Sequence, residues 1–509
     1  MENRYEPIPQ EKFKFVQKDA FLHDQKLETK NRGYFSDAML RFKKNKSSVV
    51  AAYILLFLAL FSVVSPIISL YDVRQIDKRY VNAPPYVESL AEKGWSLFSG
   101  GVIHDSQNDA SMDYWRGIAV ETGHDPLLGI LSKQVKQVKN RGKIIENATY
   151  KIRTNKYFEI GMVYMVFSYE DFEKIQAWQD ETGLQVIYPY VDPKDIQGIA
   201  NNPNIWYQVK DNKGTAVKDA EGNFIPAYCT SAATEGAPYH SIRIAGDDGS
   251  YIYSARKSGA VQCRVEYYNY YQYVNGHAPQ FYFGTNEKGQ DLFCAIGMGA
   301  RFSLVFAIVV SVIRFVLGTI YGAIEGYYGG TTDLVMERIS DVLSGIPFIV
   351  ATTLFQLHLA QKVGTVPSFL FAYIATGWIG MASLVRKQFY RFKGQEYVLA
   401  SRTLGASDRR LMFRHIFPNS LGTIITSCAM MIPSVIGSET TLTYLGIVNL
   451  SDFVGTSIGE LMSLGQRSMT TSPHAMFWPA LFFSLLMISF NLFGNGLRDA
   501  FNPTTRGED

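Results

Sequence analysis

The sequence predicts a polytopic α-helical membrane protein with six transmembrane helices and an α+β extracellular domain inserted between helices 1 and 2. Three observations predict it. Apolar residues concentrate in one run near the N-terminus and in a dense block after about residue 302, the stretch from about 71 to 290 is polar and aromatic, and basic residues gather beside two of the apolar runs. Averages hide this division: 47% hydrophobic residues and a mean hydropathy of -0.02 over 509 residues look soluble only because two regimes cancel. A net charge of +3 and the lack of a nucleic-acid-binding motif set nucleic acid aside as a partner.

Crossing a hydrocarbon core of roughly 30 Å takes about 20 mainly apolar residues. Segments 48–70, 302–324, 342–360, 366–384, 421–445 and 475–493 qualify. The first is longer than the roughly 7 to 15 residues of a signal-peptide core and follows an arm of residues 1–47, so it is expected to stay as an anchor. Arg41, Lys43, Lys44 and Lys46 precede it, and Arg386, Lys387, Arg391, Lys393, Arg402, Arg409, Arg410 and Arg414 lie between the fourth and fifth segments. An even number of crossings puts both clusters on one side, which the bias of lysine and arginine marks as cytoplasmic. The N-terminal arm 1–47 and the tail 498–509 are then cytoplasmic, and residues 71–282 form an extracellular domain.

Within that domain, "YFEIGMVYMVFSYEDFEKIQAWQDETGLQVIYPYV" reads as strand, helix, strand, with the helix over 169–182 ended by Gly183. "YIYSARKSGAVQCRVEYYNYYQYV" reads as two strands joined by a turn near Lys257 to Gly259. Its tyrosines suit either an aromatic contact face or ordinary strand packing. Cys229 and Cys263 are the cysteines of this region, and an oxidising location makes a disulfide between them an open expectation. Cys294 and Cys428 fall at or in the membrane, and no pair of cysteines has metal-ligand spacing, so no metal site is expected.

Between the fourth and fifth spans lies "EYVLASRTLGASDRRLMFRHIFPNS", residues 396–420. A helix from about Gly394 to Leu404 would end at Gly405, which accepts a left-handed backbone, and Ser407 with Asp408 would cap a second helix stopped by Pro418. Leu411, Met412, His415 and Ile416 share one stripe of it, with Arg409, Arg410 and Arg414 elsewhere. A segment resting on anionic lipid needs no helix stop and fresh cap within a few residues; a knob shaped for a protein groove does. Arg314 interrupts the second span, where a charge costs at least ~2.5 kcal/mol, so it is expected to face a cavity or partner. Gly318 and Gly322, spaced four apart, are expected to admit a close helix neighbour.

At these residues the chain resembles the cytoplasmic EAA loop of bacterial ABC importer permeases, and "LGASDRRLMFRHIFPN" is similar to the oligopeptide/dipeptide (OppC/DppC-type) version. Ala400, Ser401, Gly405 and Pro418 hold matching positions; Leu399 for glutamate, Ser401 for alanine and Phe417 for leucine depart from the pattern. "FGTNEKGQDLFCAIGMGARFSL" (283–304), "GYYGGTTDLVMERISDVLSGIPF" (326–348), "SETTLTYLGI" and "FNLFGNGLRDAFNP" resemble the same subfamily, with Asn286, Gln290, Cys294 and Ala295 as departures in the first. The large insert resembles the enlarged versions of some Gram-positive oligopeptide permeases.

The resemblance implies the six-helix ABC importer permease fold: a lead-in motif over 283–301, helices 2–6 over 302–497 and a coupling loop over 386–420. It implies a peptide-importing subunit that pairs with a second homologous permease, two cytoplasmic ABC ATPases and an extracellular peptide-binding lipoprotein. Glu396, Ala400, Ser401, Gly405, Ala406, Ser407, Leu411, Met412, His415 and Pro418 would meet the ATPase, and Glu439, like Arg314, would serve translocation, gating or simple helix anchoring. With no G-x-x-x-x-G-K-[ST] motif in the chain, it is not expected to be an enzyme or to bind a cofactor; ATP and Mg would sit in the ATPase subunits. An ion-coupled secondary transporter would instead show internal repeats and several intramembrane acids along one path, and a membrane sensor would show a cytoplasmic output domain.

Overall fold

The computed structural model describes residues 34–140, 143–190, 220–221, 228–229, 243–244, 253–450 and 455–501. Residues 1–33 of the N-terminal arm and 502–509 of the tail lie outside it. The amphipathic α1 (Tyr34–Lys44) leads into α2 (Lys46–Ile68), which starts where the Asn45 side chain accepts the Ser48 N–H. Ser48 Oγ donates to the Leu492 carbonyl, and Phe42 meets Phe493 edge-on.

The chain then forms the α+β domain. Strand β1 (Gly101–Gln107), helix α3 (Asp109–Thr122) and the long hairpin β2 (Leu127–Asn140) with β3 (Lys143–Asn155) give an antiparallel sheet ordered β1-β3-β2. Next come β4 (Met162–Phe167), α4 (Tyr169–Thr182) and β5 (Ile187–Tyr188). Helix α4 has the predicted limits because Ser168 accepts the Asp171 N–H at its start and Gly183 turns left-handed at its end. A two-residue parallel pair joins β6 (Tyr228–Cys229) to β7 (Arg243–Ile244). The predicted turn connects β8 (Ser254–Lys257) to β9 (Ala260–Glu266), with positive φ at Ser258 and Gly259, as a tight two-residue hairpin demands. Strand β9 pairs with β4 on one side and with β5 and β8 on the other.

One expectation for this domain is corrected, and one left open is decided. The second strand stops at Glu266, and "YYNYYQYVN" forms helix α5 (Tyr267–Asn275), because its apolar faces repeat at helical spacing against both sheet and loop. The tyrosines are largely a core: Tyr71, Tyr80, Tyr86, Tyr157, Tyr268 and Tyr271 are buried together around Phe281. Cys263 is a free, fully buried thiol whose pKa burial pushes up to about 12; the side chain of its expected partner, Cys229, lies outside the described residues.

Beside this core, Arg264 donates to both carboxylate oxygens of Glu121, with the two side chains 0% and 2% exposed. Burial pushes the neighbouring Glu266 carboxyl upward, although His124, 2.6 Å away, pulls it down. Arg264→Met is expected to destabilise the domain by about 3–5 kcal/mol, since a buried carboxylate loses its counter-charge. Thermal unfolding of the purified chain measures this, and an unchanged midpoint would refute it.

The remaining elements form the bundle: α6 (Leu292–Tyr328), α7 (Gly330–Ser344), α8 (Phe348–His358), α9 (Thr365–Lys393), α10 (Glu396–Thr403), α11 (Asp408–Tyr444), α12 (Ile458–Arg467) and α13 (His474–Phe501). Among the described residues, α2, α6, α9, α11 and α13 are the 5 helices long and apolar enough to cross a membrane. The expected third segment, 342–360, is not one continuous helix. It breaks at Gly345-Ile346-Pro347 into the end of α7 and the 11-residue α8, about 16 Å long and too short to cross alone. Averaged hydropathy passes over such a break; the proline ring does not.

Helix α6 runs parallel to α9. Phe306 stacks on Phe369 near the α+β domain, while Gly318, Gly322 and Gly326 face Met381, Ala382 and Arg386 toward the far end. A Cβ on Gly322 would lie 2.1 Å from the Ala382 carbonyl oxygen, which confirms the close approach expected of this spacing and extends it to Gly326. The end of α2 meets α6 where Ser65 faces Gly297, so the basic residues at 41–46 and the loop 394–420 lie at the same end of the bundle, opposite the α+β domain.

The lead-in motif ties the domain to the bundle. Asp291 caps α6 by accepting the Phe293 and Cys294 N–H groups and takes a hydrogen bond from Ser69 at 3.0 Å. Gly289 has φ +78, and a Cβ there would lie 1.9 Å from the Asp77 carbonyl oxygen, so both backbone and space require glycine. The Asn286 and Gln290 departures are partners: Asn286 Nδ2 donates to Gln290 Oε1 at 2.8 Å, and Gln290 donates to the Val73 carbonyl. A neutral amide pair thus closes the turn.

Candidate coupling site

The loop between α9 and α11 folds as a hinge. Helix α10 ends in the Gly405 N–H to Arg402 carbonyl bond and the Ala406 N–H to Ser401 carbonyl bond, a Schellman closure with Gly405 left-handed at φ +81. Ser407 stands at the N-cap of α11 with an extended backbone, but its side chain makes no capping bond. Asp408 instead accepts the Tyr327 hydroxyl at 2.5 Å, and Arg402 donates to that hydroxyl at 3.3 Å. Tyr327, from the end of α6, therefore joins both arms of the hinge. Local sequence gave no sign of it, since it lies about eighty residues away.

Two site expectations are corrected. Pro418 does not stop the second helix, which continues to Tyr444. Residues Leu411–Ile416 form a π turn in which the Phe417 N–H reaches the Met412 carbonyl five residues back, and this wider turn takes in the proline. The stripe of Leu411, Met412 and Ile416 faces its own bundle: it is buried with Val398, Phe389, Val385 and Ala323. Burying that stripe inside the chain satisfies its apolar surface without a partner.

Other apolar side chains remain on the outside. Leu404 is 87% exposed, with Phe413, Leu399 and Tyr397 also exposed, beside Arg402, Arg409, Arg410 and Arg414. Glu396 and Ala400 are exposed on α10; Ser401, Ala406 and His415 are half-buried, with Ala406 against the inner cluster and Ser401 donating to the Tyr397 carbonyl. Large exposed apolar groups ringed by cations suit a protein contact.

Arg314 and Glu439 each have a partner within the chain. Arg314 donates to the Tyr373 carbonyl at 3.1 Å, lies 5.0 Å from that ring's centre and rests against Gly377. Glu439 is fully buried and accepts Ser303 Oγ at 2.7 Å, joining α11 to α6. Neither lines the cleft of about 660 Å³ between α9, α11 and α13, whose walls include Thr423, Thr426, Ser427, Met430, Ser434, Asn495 and Arg498. A row of hydroxyls on one face of an apolar helix is a polar wall inside a membrane protein.

Long apolar helices joined by a hinged surface loop define a membrane-embedded helical protein. Residues 314–507 match the family model described as binding-protein-dependent transport system inner membrane component, and residues 33–85 match the N-terminal TM domain of oligopeptide transport permease C. The oligopeptide transport system permease protein OppC of Bacillus subtilis is 39% identical over 44% of this chain and 72% of its own length; the dipeptide permease DppC of that organism is 38% identical over 44% and 69%. An inward-facing MetNI methionine ABC transporter aligns with a TM-score of 0.34 at 15% identity, over 41% of this chain and 96% of that one. The chain belongs to the binding-protein-dependent inner-membrane permease family, in its oligopeptide/dipeptide branch. It is an integral protein of the cytoplasmic membrane and a permease, not an ATP-hydrolysing subunit.

Proposed function

We propose that this chain is one of two permease subunits of an ATP-driven oligopeptide importer, docked on cytoplasmic ATPases through the α10–α11 hinge. The observation that carries the proposal is the hinge itself, glycine-terminated and internally braced, with Leu404, Phe413 and Leu399 left outside among arginines. The occupant of an ATPase groove is then this exposed set, with Glu396, Ala400 and Gly405, rather than the buried Leu411 and Met412. Helices α7 and α8 together make the sixth crossing: α7 begins where α6 ends, and Ser368 at the start of α9 reaches back to the Phe355 carbonyl. Both basic clusters at one end of the bundle support cytoplasmic termini and an extracellular domain over 71–282. The hydroxyl-lined cleft is the wall of the peptide path that a second permease completes, and an extracellular binding lipoprotein delivers peptide to the outer side.

Purification of the tagged chain in mild detergent is expected to bring down a second permease and an ATPase pair. Cells lacking the chain are expected to lose uptake of a labelled oligopeptide and to regain it on complementation; uptake unaffected by its loss would reject the proposal.

A further inference from the structure

Helix α7 is the one long bundle element with no buried residue among those described, so apolar packing does not hold it. Its attachment is polar. Arg386, on α9, donates through Nε and one terminal nitrogen to Asp333 at 2.6 and 2.8 Å, and through both terminal nitrogens to Glu337 at 2.8 and 3.0 Å. The two acids are one turn apart on α7, so a single planar guanidinium bridges both. Glu325 of α6 stands 3.5 Å from Arg386, Tyr390 donates to Asp333 at 2.6 Å, and Tyr321 donates to the Met336 carbonyl at 2.7 Å.

Arg386 is also placed to feel the hinge. It follows Val385 and precedes Phe389, both buried against Val398, Leu411 and Ile416, and its backbone lies against Gly326. A displacement of α10 therefore reaches the α6–α9 pair through close packing, which moves as one body. Passage onward to α7 rests on the ionic clamp. Resting on the transport reading above, we propose that Arg386 is the positioning residue that carries the coupling-loop stroke to α7, and thereby to the α7–α8 crossing. An ionic clamp suits a joint that must re-form each cycle, since its partners re-pair without repacking a core.

The test uses the assembled transporter in proteoliposomes, with ATP hydrolysis and uptake of a labelled oligopeptide measured side by side. Arg386→Gln is expected to leave assembly and hydrolysis within about twofold and to lower peptide imported per ATP at least tenfold. Arg386→Lys, which keeps the charge but not the fork, is expected to restore part of that ratio. The double variant Asp333→Asn with Glu337→Gln breaks the same clamp from the other side and decides the matter should Arg386→Gln fail to assemble. An unchanged ratio in the double variant, beside a wild-type complex that imports normally, overturns the clamp alone. A wild-type complex that hydrolyses ATP yet imports no peptide overturns the transport reading itself.

Discussion

Gly322→Val is expected to lower the melting temperature of the subunit sharply. Any side chain at this position begins with a Cβ 2.1 Å from the Ala382 carbonyl oxygen and 2.9 Å from its Cα, and both are backbone atoms of α9 that no rotamer change can move. Relief requires parting α6 from α9, the pair that frames the inner half of the bundle. Overpacking in a core typically costs about 1–3 kcal/mol, and a backbone clash lies at the upper end or beyond, against a net stability of roughly 5–15 kcal/mol. Gly380 supplies the control, because a Cβ there meets nothing within 4 Å; Gly380→Ala is expected to be neutral within about 0.5 kcal/mol. Heating the detergent-solubilised variants and following the monodisperse fraction by size-exclusion chromatography separates the two. Equal melting of both variants would show that the helices do not meet as described.

The second large effect is functional and leaves the fold alone. Leu404→Asp changes a side chain that is 87% exposed, so the isolated chain is expected to keep its melting temperature. Seated in an ATPase groove, the same change buries an unpaired carboxylate. ATPase recovery on the tagged chain and peptide uptake are both expected to fall at least tenfold, equivalent to about 1.4 kcal/mol or more. Gly405→Val acts differently: nothing lies within 4 Å, but φ +81 strains a branched residue by about 1–2 kcal/mol, so the angle between α10 and α11 loosens while the contact chemistry remains. Its uptake loss is expected to be smaller than that of Leu404→Asp. Normal uptake with both changes combined would exclude the hinge as the coupling site.

Much of this was legible locally. Helix α4 with its Ser168 and Gly183 ends, the turn at Ser258-Gly259, the Gly405 stop and the Gly318/Gly322 stripe are each written within a few residues, because caps, turns and close helix contacts depend on local backbone geometry and side-chain size. The misreadings share another cause. Periodicity put Leu411, Met412 and Ile416 on one face without saying whether that face meets its own bundle or another protein. Tyrosine composition likewise did not tell a buried core from an exposed face, and hydropathy averaging over 342–360 ran through the Pro347 break.

The amino-acid sequence by itself determined which segments are apolar enough to enter a membrane, where the hinge turns and which residues are small enough for helices to touch, since desolvation, backbone freedom and side-chain volume are properties of residues and short windows. Only the tertiary structure decided what each face meets: Arg386 against Asp333 and Glu337, Tyr327 across Arg402 and Asp408, Glu439 on Ser303. Those pairings join positions separated by about fifty to more than a hundred residues. They arise because folding brings the elements together, and the high cost of an unpaired charge or hydroxyl in a low-dielectric interior then selects its partner.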